Sequence, residues 1–163
     1  MPGTPLPPPA PPFDDWPIQL ADGRFGYVWY AAPSVLINQV HVPHATVEAV
    51  DALHDAFDRV IAVERADYER RGGLLFIHDW RRIDGYERPA RQVYLSRMRR
   101  RTPGYVRKAV AVLPGTPLLK MAVQTANVLM ALRIGGSFAL ASDPSEVLSE
   151  HGVERPTRVG WYE

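Results

Sequence analysis

Residues 74–79, LLFIHD, form a continuous apolar run with no in-and-out alternation. A run this short and apolar reads as a strand covered on both faces, which requires a sheet with layers above and below it. The rest of the chain is read outward from that strand. Upstream, RFGYVWYA (24–31) and SVLINQVHV (34–42) are rich in aromatic and β-branched residues and are joined by a short turn, predicting an antiparallel hairpin. From Thr46 to Arg70, Val47, Val50, Leu53, Phe57, Val60 and Ile61 recur every three or four positions, with acids on the opposite face. That period predicts a long amphipathic helix, ended by Gly72 and Gly73.

Downstream, a helix is expected from about Pro89 to Arg100, and YVRKAVAVLP (105–114) reads as a strand. A helix over 116–133 opens with Thr116 as N-cap and Pro117 at its first position. SFALAS (137–142) is the next strand, and DPSEVLSEHG (143–152) a short helix capped by Asp143. The order β-β-α-β-α-β-α-β-α predicts an α/β domain with a mixed, mostly parallel sheet and helices packed on it. The expected organisation is a proline-rich extended tail over 1–15, a domain over 16–152 and a C-terminal segment over 153–163. The tail, MPGTPLPPPAPP, favours polyproline II. It reads as a solvated arm or, through its PxxP spacings, as a ligand for a proline-binding groove.

A length of 163 residues suits one domain, and 46% hydrophobic with 23% charged residues is ordinary for a soluble globular chain. The absence of cysteine excludes disulfides, thiolate metal sites and a Cys nucleophile, and fits a reducing compartment. No basic and apolar leader pattern opens the sequence, and Lys120, Gln124 and Asn127 interrupt its longest apolar stretch. A soluble, cytoplasmic domain is the expectation. A net charge of +1 makes no case for nucleic acid, and neither nucleic acid nor a membrane surface is the expected partner.

The order of elements, with three local stretches, resembles the STAS domain of anti-sigma-factor antagonists, the SpoIIAA-like proteins, and more distantly SEC14-like lipid-binding domains. The stretches are FIHDWRRIDGYERPAR, KAVAVLPGTPLLKMAVQTANVLMAL and GGSFALASDPSEVLSEHG, and the resemblance spans roughly residues 24–152. It implies a STAS-like fold and a bacterial regulatory module that binds a protein partner. The phosphoswitch members carry Ser or Thr before the second helix; here DGYERP, Asp84 to Pro89, has neither. Glu87 either stands in for a phosphate in a locked switch or only complements the helix dipole.

Catalytic signatures are missing: there is no GxSxG, HExxH or GxxxxGK[ST]. LPGTPLLK is explained as a turn and helix cap. His41 and His44 lack an obvious third metal ligand. His78 and Asp79 are adjacent on a strand and should face opposite sides. The reading is therefore non-enzymatic, with no cofactor. The partner surface is assigned to Asp79, Arg81, Arg82, Asp84, Tyr86, Glu87 and Arg91, with Arg97, Arg99, Arg100 and Arg101 from the basic stretch 97–108. That stretch has three readings: an intramolecular or solvated role, an acidic protein partner, or phosphate binding. The helix over 116–133 is apolar around most of its circumference. Leu119, Met121, Val123 and Met130 are assigned to a ligand or homodimer surface, or to packing against the chain termini. A SEC14-like binder of a small apolar or lipid ligand beneath that helix is the alternative function.

Overall fold

The computed structural model describes residues 6–18, 20–22, 24–101, 105–114 and 137–156. Strands β1 (Leu20–Asp22), β2 (Gly26–Ala32) and β3 (Val35–Val40) form an antiparallel meander. The β2–β3 turn is tight because Ser34 takes a left-handed conformation, with φ of 66°. Its amide donates to the Tyr30 hydroxyl at 2.6 Å and its Oγ donates to the Gly73 carbonyl at 2.5 Å. Buried polar atoms are thus paired in a turn that a non-glycine residue would otherwise disfavour.

A two-residue strand β4 (His44–Ala45) precedes helix α1 (Val47–Val63), capped by Thr46, whose side chain accepts from the Ala49 amide. The expected single helix over 46–70 breaks at Glu64, and α2 (Arg65–Arg70) continues it for under two turns. Then come β5 (Leu74–Asp79), β6 (Gly85–Tyr86) and α3 (Arg88–Arg100). β7 (Val106–Val112), β8 (Ser137–Ala141) and α4 (Pro144–Glu150) complete the described elements. The expected helix over 116–133, with Leu119, Met121, Val123 and Met130, lies outside the described residues.

The main sheet runs β1-β2-β3-β5-β7-β8, antiparallel through β3 and parallel from β3 onward. This is the mixed, mostly parallel sheet that the alternation of elements predicts. β5 lies between β3 and β7, and all six of its residues are buried. Its even-numbered residues Leu74 and Phe76 pack with Leu53, Phe57 and Val60 of α1 and Met98 of α3. Its odd-numbered Leu75 and Ile77 pack on the opposite face with Val147 and Leu148 of α4. Among the described residues, no helix is long and apolar enough to cross a membrane.

The proline-rich segment differs from the expected solvated arm. Phe13 is fully buried and Trp16 is 5% exposed, both packed against Trp29 on the α4 face of the sheet. Three hydrogen bonds fasten the backbone beside them. Tyr27 Oη donates to the Pro7 carbonyl (3.0 Å), Trp29 Nε1 to the Pro17 carbonyl (2.6 Å), and the Ala10 amide to Gln39 Oε1 (3.0 Å). Proline leaves its carbonyls unpaired and the chain extended, so such a segment can serve side-chain donors on a sheet face it could never join as a strand. The ordered structure thus includes residues ahead of the expected boundary at Trp16.

Phe13→Ala is expected to lower stability by about 3–5 kcal/mol in urea unfolding, the cost of truncating a core aromatic. A change below about 0.5 kcal/mol, as for a surface site, would show that the segment is not part of the core.

Candidate functional site

Residues 80–87 leave the carboxyl end of β5, and backbone hydrogen bonds hold them to the strand-to-helix connection before α1. The Asp84 and Gly85 amides donate to the Pro43 carbonyl, and the Glu87 amide to the Ala45 carbonyl. β4 and β6 pair in parallel there, with His44 opposite Gly85. A β-carbon on Gly85 would stand 2.9 Å from Nδ1 of the exposed His44 side chain, which would have to shift to admit one.

Alternation along β5 separates two sets of side chains. Asp79 faces the proline-rich segment and is 1% exposed. Arg81 grips its carboxylate with two contacts of 2.8 Å, and Gln39 Nε2 donates to it at 2.6 Å. Arg81 also donates to the Pro11 carbonyl (2.6 Å). Gln39 Oε1 lies 2.7 Å from His41 Nε2, and His41 Nδ1 lies 3.0 Å from Arg82. An arginine can only donate, so Nδ1 is the acceptor and Nε2 carries the proton of a neutral imidazole. Burial and the Arg82 charge accordingly lower the His41 pKa to about 4. With both ring nitrogens engaged, His41 is not available to a metal. No cluster of three or more ligating side chains occurs among the described residues.

His78 and Trp80 face the other way, as the divergence of His78 from Asp79 predicts. They line a cavity of about 120 Å³ at the carboxyl ends of β3 and β5, beneath α1, α3 and the 80–86 loop. Its walls are largely aromatic and aliphatic. His54 lies edge-on to Tyr94 with ring centroids 5.3 Å apart, and His78 lies 5.1 Å from Trp80. Leu53, Phe57, Ile83 and Leu113 supply further apolar surface.

Three of the lining residues carry an enclosed polar atom with no hydrogen-bond partner among the described residues: Asn38 Oδ1, His54 Nδ1 and Arg91 Nε. Leaving a buried polar group unpaired costs about 1–3 kcal/mol, so three such groups on the residues around one cavity single it out within the fold. Burial and neighbouring positive charge keep both histidines neutral. The His78 pKa is lowered to about 3 by burial and Arg101, and the His54 pKa well below its usual value by burial, Arg101 and His78. Imidazoles so depressed are poor general bases near neutral pH.

The residues assigned from sequence to a partner surface are divided by the fold. Asp79 is consumed internally and presents no carboxylate to a partner. Tyr86 and Arg91 line the cavity. Arg97 pairs with Asp51 and Asp55 of α1 at 2.8 Å each, and Arg101 with Asp58 at 2.7 Å. For these two arginines the intramolecular reading of the basic stretch is the one observed. Asp84, Glu87, Arg99 and Arg100 are exposed. Sequence reasoning missed Asn38, His54, Trp80 and Tyr94. The available signal was a polar residue inside each of two buried strands and one on the core stripe of α1.

No family model, no curated protein and no solved structure matches this chain.

Unfolding exposes His78, which then protonates below about 6.5, whereas the folded state resists protonation down to about 3. The unfolded chain therefore binds more protons in this window. The His78 contribution to stability is complete above pH 6.5 and is lost progressively as the pH falls towards 3. The stability of the wild type should fall with acidification by about 1.4 kcal/mol per pH unit more than that of His78→Leu between pH 6 and 4. Parallel urea-midpoint profiles for the two proteins in that range would refute a buried neutral His78.

Proposed function

We propose that this chain is a non-enzymatic ligand-binding module of the STAS-like or SEC14-like kind, seating a small, mostly apolar molecule beneath the 80–87 loop. The observation that carries this reading is the gathering of Asn38, His54 and Arg91, each with an unpartnered polar atom, around one aromatic-walled cavity. An apolar cavity of roughly 150 Å³ accommodates a benzene-sized guest, so about 120 Å³ suits a compact ring or short chain. The site lies where open α/β sheets generally take ligands, outside the carboxyl ends of parallel strands. This seat lies under α1 and α3; the expected position beneath residues 116–133 falls outside the described residues.

Absence of catalysis is part of the proposal. The described lining holds no carboxylate, serine or threonine to act as nucleophile or base, and its histidines are held neutral. A regulatory role follows from the roof of the site. Trp80, Ile83 and Tyr86 touch the cavity, while Asp84 and Glu87 on the same loop face solvent. A protein partner in the cytoplasm would read the state of the pocket through those outer residues, without a phosphorylatable Ser or Thr.

Ala49, 2% exposed on α1, lines the cavity, so Ala49→Leu should fill it while keeping the fold. Native mass spectrometry of protein from its own host, with a fragment screen by ligand-observed NMR, should find small molecules on the wild type and not on the variant. Equal occupancy of both proteins, or none in either assay, would refute the ligand-binding reading.

A further inference from the structure

The charge inventory of this cavity identifies its guest more closely. Among its described lining residues Arg91 carries the only formal charge, since the histidines are neutral and no aspartate or glutamate is present. Arg91 Nε is enclosed without a hydrogen-bond partner among the described residues, and the ion pairs among those residues do not include Arg91. Arg91 as a residue is partly buried, and an arginine beside apolar walls is suited to a carboxylate or phosphate, for which its planar set of donors is shaped.

The backbone adds to this preference. Arg91 sits in the first turn of α3, a helix of 13 residues with no acid in that turn, its N-cap being the exposed Glu87. Ala90, beside it on the helix, also lines the cavity. A helix start offers unpaired N–H groups and partial positive charge, so both features favour negative charge at this wall. Among the other lining residues, Asn38 is 1% exposed and His54 is 2% exposed, and each carries an enclosed polar atom without a hydrogen-bond partner among the described residues.

Resting on the ligand-binding reading, we propose that the cavity is a site for a small monocarboxylic acid, its carboxylate on Arg91 and its ring or short chain among Leu53, Phe57, Trp80 and Tyr94. One cation calls for one anion. The apolar walls exclude strongly hydrated polyanions, and the volume excludes a long acyl chain held wholly inside.

The test is isothermal titration of the full chain with phenylacetate, 3-phenylpropionate and hexanoate, each set against its primary amide. The acids should bind at least tenfold more tightly than the matching amides. Arg91→Gln should bring acid affinity down to that of the amide while leaving the amide unchanged, and Arg91→Lys should retain much of the preference. Equal binding of acid and amide by the wild type would overturn the carboxylate assignment and leave the ligand-binding reading standing. So would an acid preference that survives Arg91→Gln. Failure of acids and amides alike to bind would overturn both.

Discussion

The ion pair between Asp79 and Arg81 organises this molecule. Asp79 ends the central strand and is fully enclosed, which an isolated carboxylate could not tolerate. Arg81 and Gln39 supply the missing hydrogen bonds, and each also reaches the proline-rich segment. One buried charge thereby joins β3, β5, the loop after β5 and residues 10–11. Replacing such a pair with apolar groups can be neutral, whereas removing one member leaves a buried charge uncompensated at about 3–5 kcal/mol. What the pair contributes here is direction: with Asp79 and Arg81 committed to one face, His78 and Trp80 are committed to the other.

The same division of faces decides what was legible in the sequence. The apolar run at 74–79, the 3.6-residue period after Thr46 and the capped helix at Asp143 are local signals, and each gives its element within a few residues. The short pairing of β4 with β6 is not local. It depends on Gly85 meeting His44 across a long stretch of chain, and nothing in either dipeptide announces a strand. The proline-rich segment misled for a related reason. Composition correctly excludes helix and central strand, but cannot say whether a neighbouring surface offers donors for the free carbonyls and a socket for Phe13.

The candidate site was legible only as an anomaly. Asn38 and His78 are polar residues in buried strands, and they stand side by side in the parallel register of β3 and β5. His54 interrupts an apolar stripe of α1. Each alone has an ordinary explanation, and only the packing of α1 and α3 over the sheet brings all three to one cavity. The basic stretch shows the opposite case. Its charge was conspicuous, yet Arg97 and Arg101 are largely spent on clasping α3 to the acidic face of α1. That clasp fixes the spacing of the two helices that wall the cavity. It also places the positive charge of Arg101 behind His54 and His78, reinforcing their neutrality.

The enclosure of Phe13 and Trp16 bears on how the chain reaches this structure during synthesis. Residues 6–18 leave the ribosome before β5 and α4, which form part of their seat. The Arg81 bond to Pro11 closes a loop of 70 residues, and Arg155 pairs with Asp15 across 140. Contacts of such long range form late and slow the final step of assembly. Until then a hydrophobic sheet face awaits its cover, and the nascent proline-rich segment must remain unengaged. The prolines suit that interval: a chain that cannot add itself to a sheet edge can wait in water without templating aggregation.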